Sequence, residues 1–137
     1  MGVDVSFSGL LGTTTASHIH CCTAAPGTGN VGVATQVPTF ILFPLGVTSG
    51  TYTHAFDLTL DSTYNPAFEL AHGGTAASAE AALLAGLNAD EAYLNIHTVQ
   101  FPGGEIRGFL TAVPEPDSLS LAALALCGLL VMRRRRY

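Results

Sequence analysis

His18 and His20 are the residues of this 137-residue chain best placed to do chemistry. They lie two apart in a stretch that alternates like a β-strand, so both imidazoles leave the same face, with Cα atoms about 6.5 to 7 Å apart. That spacing can chelate one metal ion. His97 shares a face with Tyr93 and Asn95 in another alternating stretch and would bring a third nitrogen from across the sheet. Three imidazoles suit copper or zinc. Cys21 and Cys22 follow directly, and a thiolate from Cys22 would add a soft ligand for Cu(I) or zinc. Two plainer readings stand beside the metal site. The histidines would be core or rim residues whose ring N–H groups satisfy backbone carbonyls, and the cysteines would be buried inert thiols, or one would pair with a cysteine further upstream. A bond between the two neighbours is not expected, because adjacent Cα atoms cannot reach the usual disulfide separation without distorting the peptide.

Other chemistry is sparse. Arg107 is the only base before the tail, on the strand face it shares with Glu105 and Phe109; a structural Glu105–Arg107 ion pair is expected, with a ligand-binding arginine as the alternative. There is no nucleophile elbow, phosphate loop, His-Glu-x-x-His or dinucleotide fingerprint. Asp57 with Asp61, and Asp90 with Glu91, read as solvated strand or turn residues rather than a catalytic carboxylate pair. An enzyme is not the expected reading.

The elements that would position these side chains are mostly strands. Val3, Val5 and Phe7 alternate with polar neighbours; Ala16, His18 and His20 face away from Ser17 and Ile19; Tyr52, His54, Phe56, Leu58 and Leu60 form the clearest half-buried run. A Gly/Pro-rich loop follows the cysteines, and Val33 to Phe43 is interrupted by Pro38. One helix is expected over Ala76 to Leu87, capped by Thr75 or Ser78. Tyr93 to Val99 and Glu105 to Ala112 close the chain as a hairpin through Phe101-Pro102-Gly103-Gly104.

Charge divides body from tail. Residues 1–112 carry eight acids against Arg107 alone, a net charge of −7, which excludes nucleic acid as a partner because phosphate binding needs clustered bases. The tail reads Val113-Pro114-Glu115-Pro116, then an apolar run from Leu119 to Met132, then Arg133, Arg134, Arg135 and Arg136. The prolines forbid a helix from running back into the body. Counted from Ser118 the run holds 15 residues. It spans about 22 Å as a helix against roughly 30 Å of bilayer hydrocarbon. It enters a membrane and spans it poorly, with the arginines holding its end on the cytoplasmic side. At the other end, Met1 to Phe7 has no positive n-region and alternates like a strand, so a signal peptide and further chain are expected upstream.

The tail resembles the PEP-CTERM sorting signal of Gram-negative bacteria that make exopolysaccharide. That resemblance implies a transient stay in the inner membrane, processing near Pro114-Glu115-Pro116 by an exosortase-type enzyme, and delivery to the cell surface or extracellular matrix. The body carries a second resemblance. Phe7-Ser8-Gly9-Leu10, Ser17-His18-Ile19-His20-Cys21-Cys22, Ala92 to Thr98 and Phe101-Pro102-Gly103-Gly104-Glu105-Ile106-Arg107-Gly108 together look like the CHRD (chordin-type) domain. Two cysteines stand here where that family usually has Gly-Pro, and the family has one or two strands before the first of these motifs. The His-x-His strand with a distant histidine also resembles copper/zinc superoxide dismutase, itself a β-sandwich. The resulting expectation is an all-β, Ig-like or superoxide-dismutase-like antiparallel β-sandwich over 1–112 with one short inserted helix, and a separate C-terminal hydrophobic helix in a sorting segment over 113–137. Its expected role is that of an exported, non-catalytic surface or exopolysaccharide-matrix module that binds a polysaccharide or surface protein. The alternative is a copper- or zinc-binding, redox-capable protein using His18, His20 and His97.

Overall fold

The computed structural model describes residues 1–111. Five strands form two antiparallel sheets. β1 (Gly2–Phe7) pairs with β3 (Gly50–Ala55), while β4 (Tyr93–Thr98) lies between β2 (Thr14–His20) and β5 (Ile106–Phe109). In the first sheet Val5 faces Tyr52 and Val3 faces His54. In the second, His18 faces Asn95, which faces Arg107. Alternation decides which side is buried against the apolar core. Val3, Phe7 and Tyr52 from one sheet and Ile19 and Ile96 from the other enter a single apolar cluster with Phe40, Phe43, Phe56 and Leu83. Ile96 and Leu83 are about fully enclosed, at 1% and 0% exposure, so truncating either to Ala costs about 2–5 kcal/mol.

Two helices interrupt the strands. α2 (Ala76–Asn88) opens with the expected cap, a capping box in which the Thr75 hydroxyl accepts from Ser78 N–H while the Ser78 side chain bonds the Thr75 backbone. It buries Ala76, Ala79, Leu83 and Gly86. α1 (Pro66–Ala71) was not expected, although Asn65-Pro66 is a start signal: the Asn65 side chain accepts from Ala67 N–H, and Pro66 occupies the first turn, where an N–H would be idle.

Several expected boundaries move. The run from Tyr52 to Leu60 leaves the sheet after Ala55, because the Asp57 carboxylate accepts from both the amide and the hydroxyl of Thr59 and turns the chain toward a short 3-10 turn at Asp61–Thr63. Val33 to Phe43 makes only single bridges, at Val33 with His20 and at Thr35 with Tyr64. The final hairpin is present, but β5 begins at Ile106, after Glu105. Among the described residues no helix is long and apolar enough to cross a membrane. The expected helix over 119–132, Pro114-Glu115-Pro116 and Arg133 to Arg136 lie outside the described residues.

Candidate functional site

One face of the three-stranded sheet points away from the shared core and still lies under cover. His18 and His20 are buried there at 6% and 7% exposure, and His97 is half-buried. Their cover is three irregular segments: the loop carrying Val31, the one carrying Pro38, and the hairpin turn carrying Pro102. Each supplies one backbone carbonyl to one histidine. His18 Nε2–H donates to Pro38 O at 2.6 Å, His20 Nδ1–H to Val31 O at 2.8 Å, and His97 Nδ1–H to Pro102 O at 2.8 Å. A carbonyl only accepts, so these contacts fix the tautomers. The remaining nitrogens are His18 Nδ1, His20 Nε2 and His97 Nε2, each with its lone pair available.

The three histidines form one cluster. The rings pack with centroids 5.2 to 5.9 Å apart, and one ligand nitrogen from each histidine lies within 4.8 Å of the others. His18 Nδ1 and His97 Nε2 are only 3.3 Å apart. When both rings are neutral, the two carbonyl contacts leave these facing nitrogens with lone pairs and no proton between them. Nitrogens at about 2.0–2.1 Å from a tetrahedral ion sit roughly 3.3–3.4 Å from each other. His20 Nε2 is buried with no hydrogen-bond partner among the described residues. Burial disfavours protonation of His18 and His20. Burial, with the neighbouring histidines, lowers the pKa of His18 despite its Pro38 bond; burial, His97 and Arg107 lower that of His20 despite its Val31 bond. Neutral imidazoles, each donating its far N–H to a fixed acceptor, are the state in which histidine binds a metal.

Scanning the sequence against known families matches the CHRD domain over residues 1–110 and the PEP-CTERM protein-sorting motif over residues 112–136. The chain belongs to the CHRD family. Its sorting motif makes it a substrate for exosortase-type processing, exported through the membrane to the cell surface of Gram-negative bacteria. No curated protein and no solved structure matches it significantly.

Two expectations for the CHRD domain are corrected by the structure. Cys21 and Cys22 are bonded to each other, across a peptide that is cis with Cα atoms 3.0 Å apart. Their sulfurs rest on α2 where Gly86 has no side chain, and a Cβ there would collide with both. Cys22 therefore stands outside the histidine cluster, its sulfur engaged with Cys21 and directed at Ala82 O. Glu105 and Arg107 do not pair either. The Glu105 carboxylate reaches across the β4–β5 hairpin to Leu11 N–H at 2.5 Å, Gly12 N–H at 3.1 Å and the Thr98 hydroxyl at 2.8 Å. Desolvation, the largest influence, pushes its pKa up, yet these three donors together hold it below the usual value. Arg107 extends the other way, donating from Nη1 to Gly29 O at 2.9 Å and to Asn30 Oδ1, with its guanidinium over the rings of Tyr93 and Phe109.

The carbonyls of Val31, Pro38 and Pro102 escaped sequence reasoning, since a carbonyl is common to every residue. Asn95 did have a signal: it shares the His97 face of β4. Its Nδ2 donates to Gly103 O and ties down the turn that carries Pro102, and Gly104, at φ +116°, lies so close over the amide that a Cβ would collide with it.

Proposed function

We propose that this exported CHRD domain is a non-catalytic, metal-binding module of the cell surface or exopolysaccharide matrix, holding one zinc or copper ion on His18, His20 and His97. The observation that carries the reading is the 3.3 Å approach of His18 Nδ1 to His97 Nε2, two nitrogens whose partners across each ring are already committed to carbonyls. A purely structural role for the histidines accounts for the three carbonyl contacts and leaves unexplained the approach of His18 Nδ1 to His97 Nε2 and the buried, unpartnered His20 Nε2 beside them. Borderline zinc and copper fit three neutral nitrogens; calcium and magnesium would call for oxygen ligands. The protein supplies three ligands, so a fourth position is left for water or a ligand donated by a matrix polymer or another surface protein.

The test is metal analysis of the full chain after chelator treatment, reloading with Zn²⁺ or Cu²⁺, and removal of excess ion. The wild type should retain a single equivalent, and His18→Ala and His97→Ala should each lose it while still melting cooperatively. A wild type that retains no stoichiometric metal, or variants that retain it undiminished, would overturn the reading.

A further inference from the structure

Arg107 and Tyr93 lie beside the histidine cluster without belonging to it, and a closed circuit of contacts joins them to His20. The Tyr93 ring is buried and stacks on the His20 ring, with centroids 4.7 Å apart and planes 6° from parallel. Its hydroxyl accepts from Val31 N–H at 3.2 Å and reaches Val31 O at 3.3 Å. Val31 O is the acceptor that fixes the tautomer of His20. The guanidinium of Arg107 stands 5.1 Å from the Tyr93 ring centre and 5.8 Å from that of Phe109, and grips Gly29 O and Asn30 Oδ1, the two residues before Val31. Arg107 thus pins from one end a glycine-containing loop that Tyr93 pins from the other.

We propose that Arg107 and Tyr93 are positioning residues of the metal centre: by clamping residues 29–31 they hold Val31 O where it keeps His20 Nδ1 protonated and His20 Nε2 aimed at the ion. This rests on the metal-binding reading and names the device that sets the affinity of that site. Gly29-Asn30-Val31 belongs to no strand or helix; the chain just after it is tied to β2 by Cys21 N–H to Gly32 O and the Val33–His20 bridge, and Arg107 and Tyr93 are the side chains that grip residues 29–31 themselves. The alternative role for Arg107, charge neutralisation of a carboxylate, is not seen among the described residues, where its partners are a carbonyl and an amide oxygen. A free loop would let His20 turn and present either nitrogen. The clamp removes that freedom before the ion arrives.

The experiment measures metal affinity by competition with a chromophoric chelator, the visible spectrum of the Co²⁺-loaded chain, and the melting temperature of the metal-free chain. Losing an outer partner of a metal-ligating histidine typically weakens binding about 10–100-fold. Arg107→Gln should therefore weaken Zn²⁺ binding by about tenfold or more and alter the Co²⁺ bands, with the metal-free melt little changed. Arg107→Lys should recover most of the affinity, since an ammonium can still donate to Gly29 O and Asn30 Oδ1. Tyr93→Phe keeps the stack, loses both Val31 contacts, and should fall between wild type and Arg107→Gln. Asn30→Ala gives a second route to the same loss should Arg107→Gln fold poorly. Wild-type affinity and spectrum in Arg107→Gln and Asn30→Ala would overturn the clamp while leaving the metal site standing. Absence of metal in the wild type would remove the site itself. An affinity loss that merely tracks a falling metal-free melt, with no rescue by Lys, would assign Arg107 to general stability and also overturn the clamp.

Discussion

Gly86 sets two physical effects against each other, and the sign of one substitution decides between them. It lies in the last turns of α2, where replacing Gly by Ala in an open helix gains about 1 kcal/mol from reduced chain entropy and better propensity. Here the new methyl group would collide with the sulfurs of both Cys21 and Cys22 and sit 3.3 Å from Cys22 Cβ. Neither sulfur can swing aside as a flexible tip would, since each is bonded to the other. Overpacking of this kind costs about 1–3 kcal/mol. Gly86→Ala should therefore destabilise the domain by up to about 2 kcal/mol net of the propensity gain, which lowers Tm by about 4–8 °C per kcal/mol for a domain near this size. On a Cys21→Ala, Cys22→Ala background the obstruction is gone, and the same substitution should stabilise by about 0.5–1 kcal/mol. Urea unfolding of the four proteins without reductant, completed as a double-mutant cycle, gives both numbers and their coupling. The reasoning is refuted if Gly86→Ala stabilises the unaltered chain, or if its effect is the same on both backgrounds.

Two further outcomes follow from the charged and titrating groups. Glu105→Gln replaces an acceptor of three donors by an amide that turns an N–H toward one of them, so the urea midpoint should fall at neutral pH. Because the folded pKa of Glu105 is depressed, its contribution is present above the unfolded value of 4.5 and lost as pH falls through the folded one, so wild type and variant should converge in acid; a gap independent of pH would refute this. His18 and His20 also have depressed folded pKa values, so the metal-free chain should be at full stability above 6.5 and lose it progressively as pH falls below, because the unfolded chain takes up protons that the buried rings resist. Urea midpoints of chelated protein across that range check the sign, and a rise in stability on acidification would show that the buried rings gain protons on folding.

What was legible in the sequence is what depends on side-chain alternation. Ser17 and Ile19 against His18 and His20, and Leu94 and Ile96 against Asn95 and His97, fix which faces of β2 and β4 meet the core; antiparallel pairing then sets the histidine faces side by side. The helix was legible because Thr75 and Ser78 form a cap whose chemistry is local. Glu105 and Arg107 were misread because sharing a face two residues apart says nothing of which way long side chains extend. Glu105 is drawn to exposed backbone donors at Leu11 and Gly12, 94 and 93 positions away in the chain, which no local pattern announces. The Cys21–Cys22 bond ran against the expectation from the separation of adjacent Cα atoms, and the surface that accommodates the paired sulfurs, Gly86 on α2, is not visible from the cysteines' own neighbourhood.

The carbonyl ring around the histidines carries this distinction to its functional consequence. His18, His20 and His97 can be recognised by type, but whether they bind an ion depends on which nitrogen of each is left with its lone pair, and that is decided by Val31, Pro38 and Pro102 through backbone atoms alone. Changing the Val31 side chain to another β-branched residue should therefore leave the site intact, whereas freeing the loop that holds its carbonyl should not. On the proposed metal reading, what makes three histidines into a site resides in the residues that fix loop geometry: Arg107 and Tyr93 for residues 29–31, and Asn95 with Gly104 for the turn at Pro102. A chain that kept the His-x-His strand and the distant histidine but lost these holders would keep the sequence signature and lose the carbonyl contacts that fix the three tautomers.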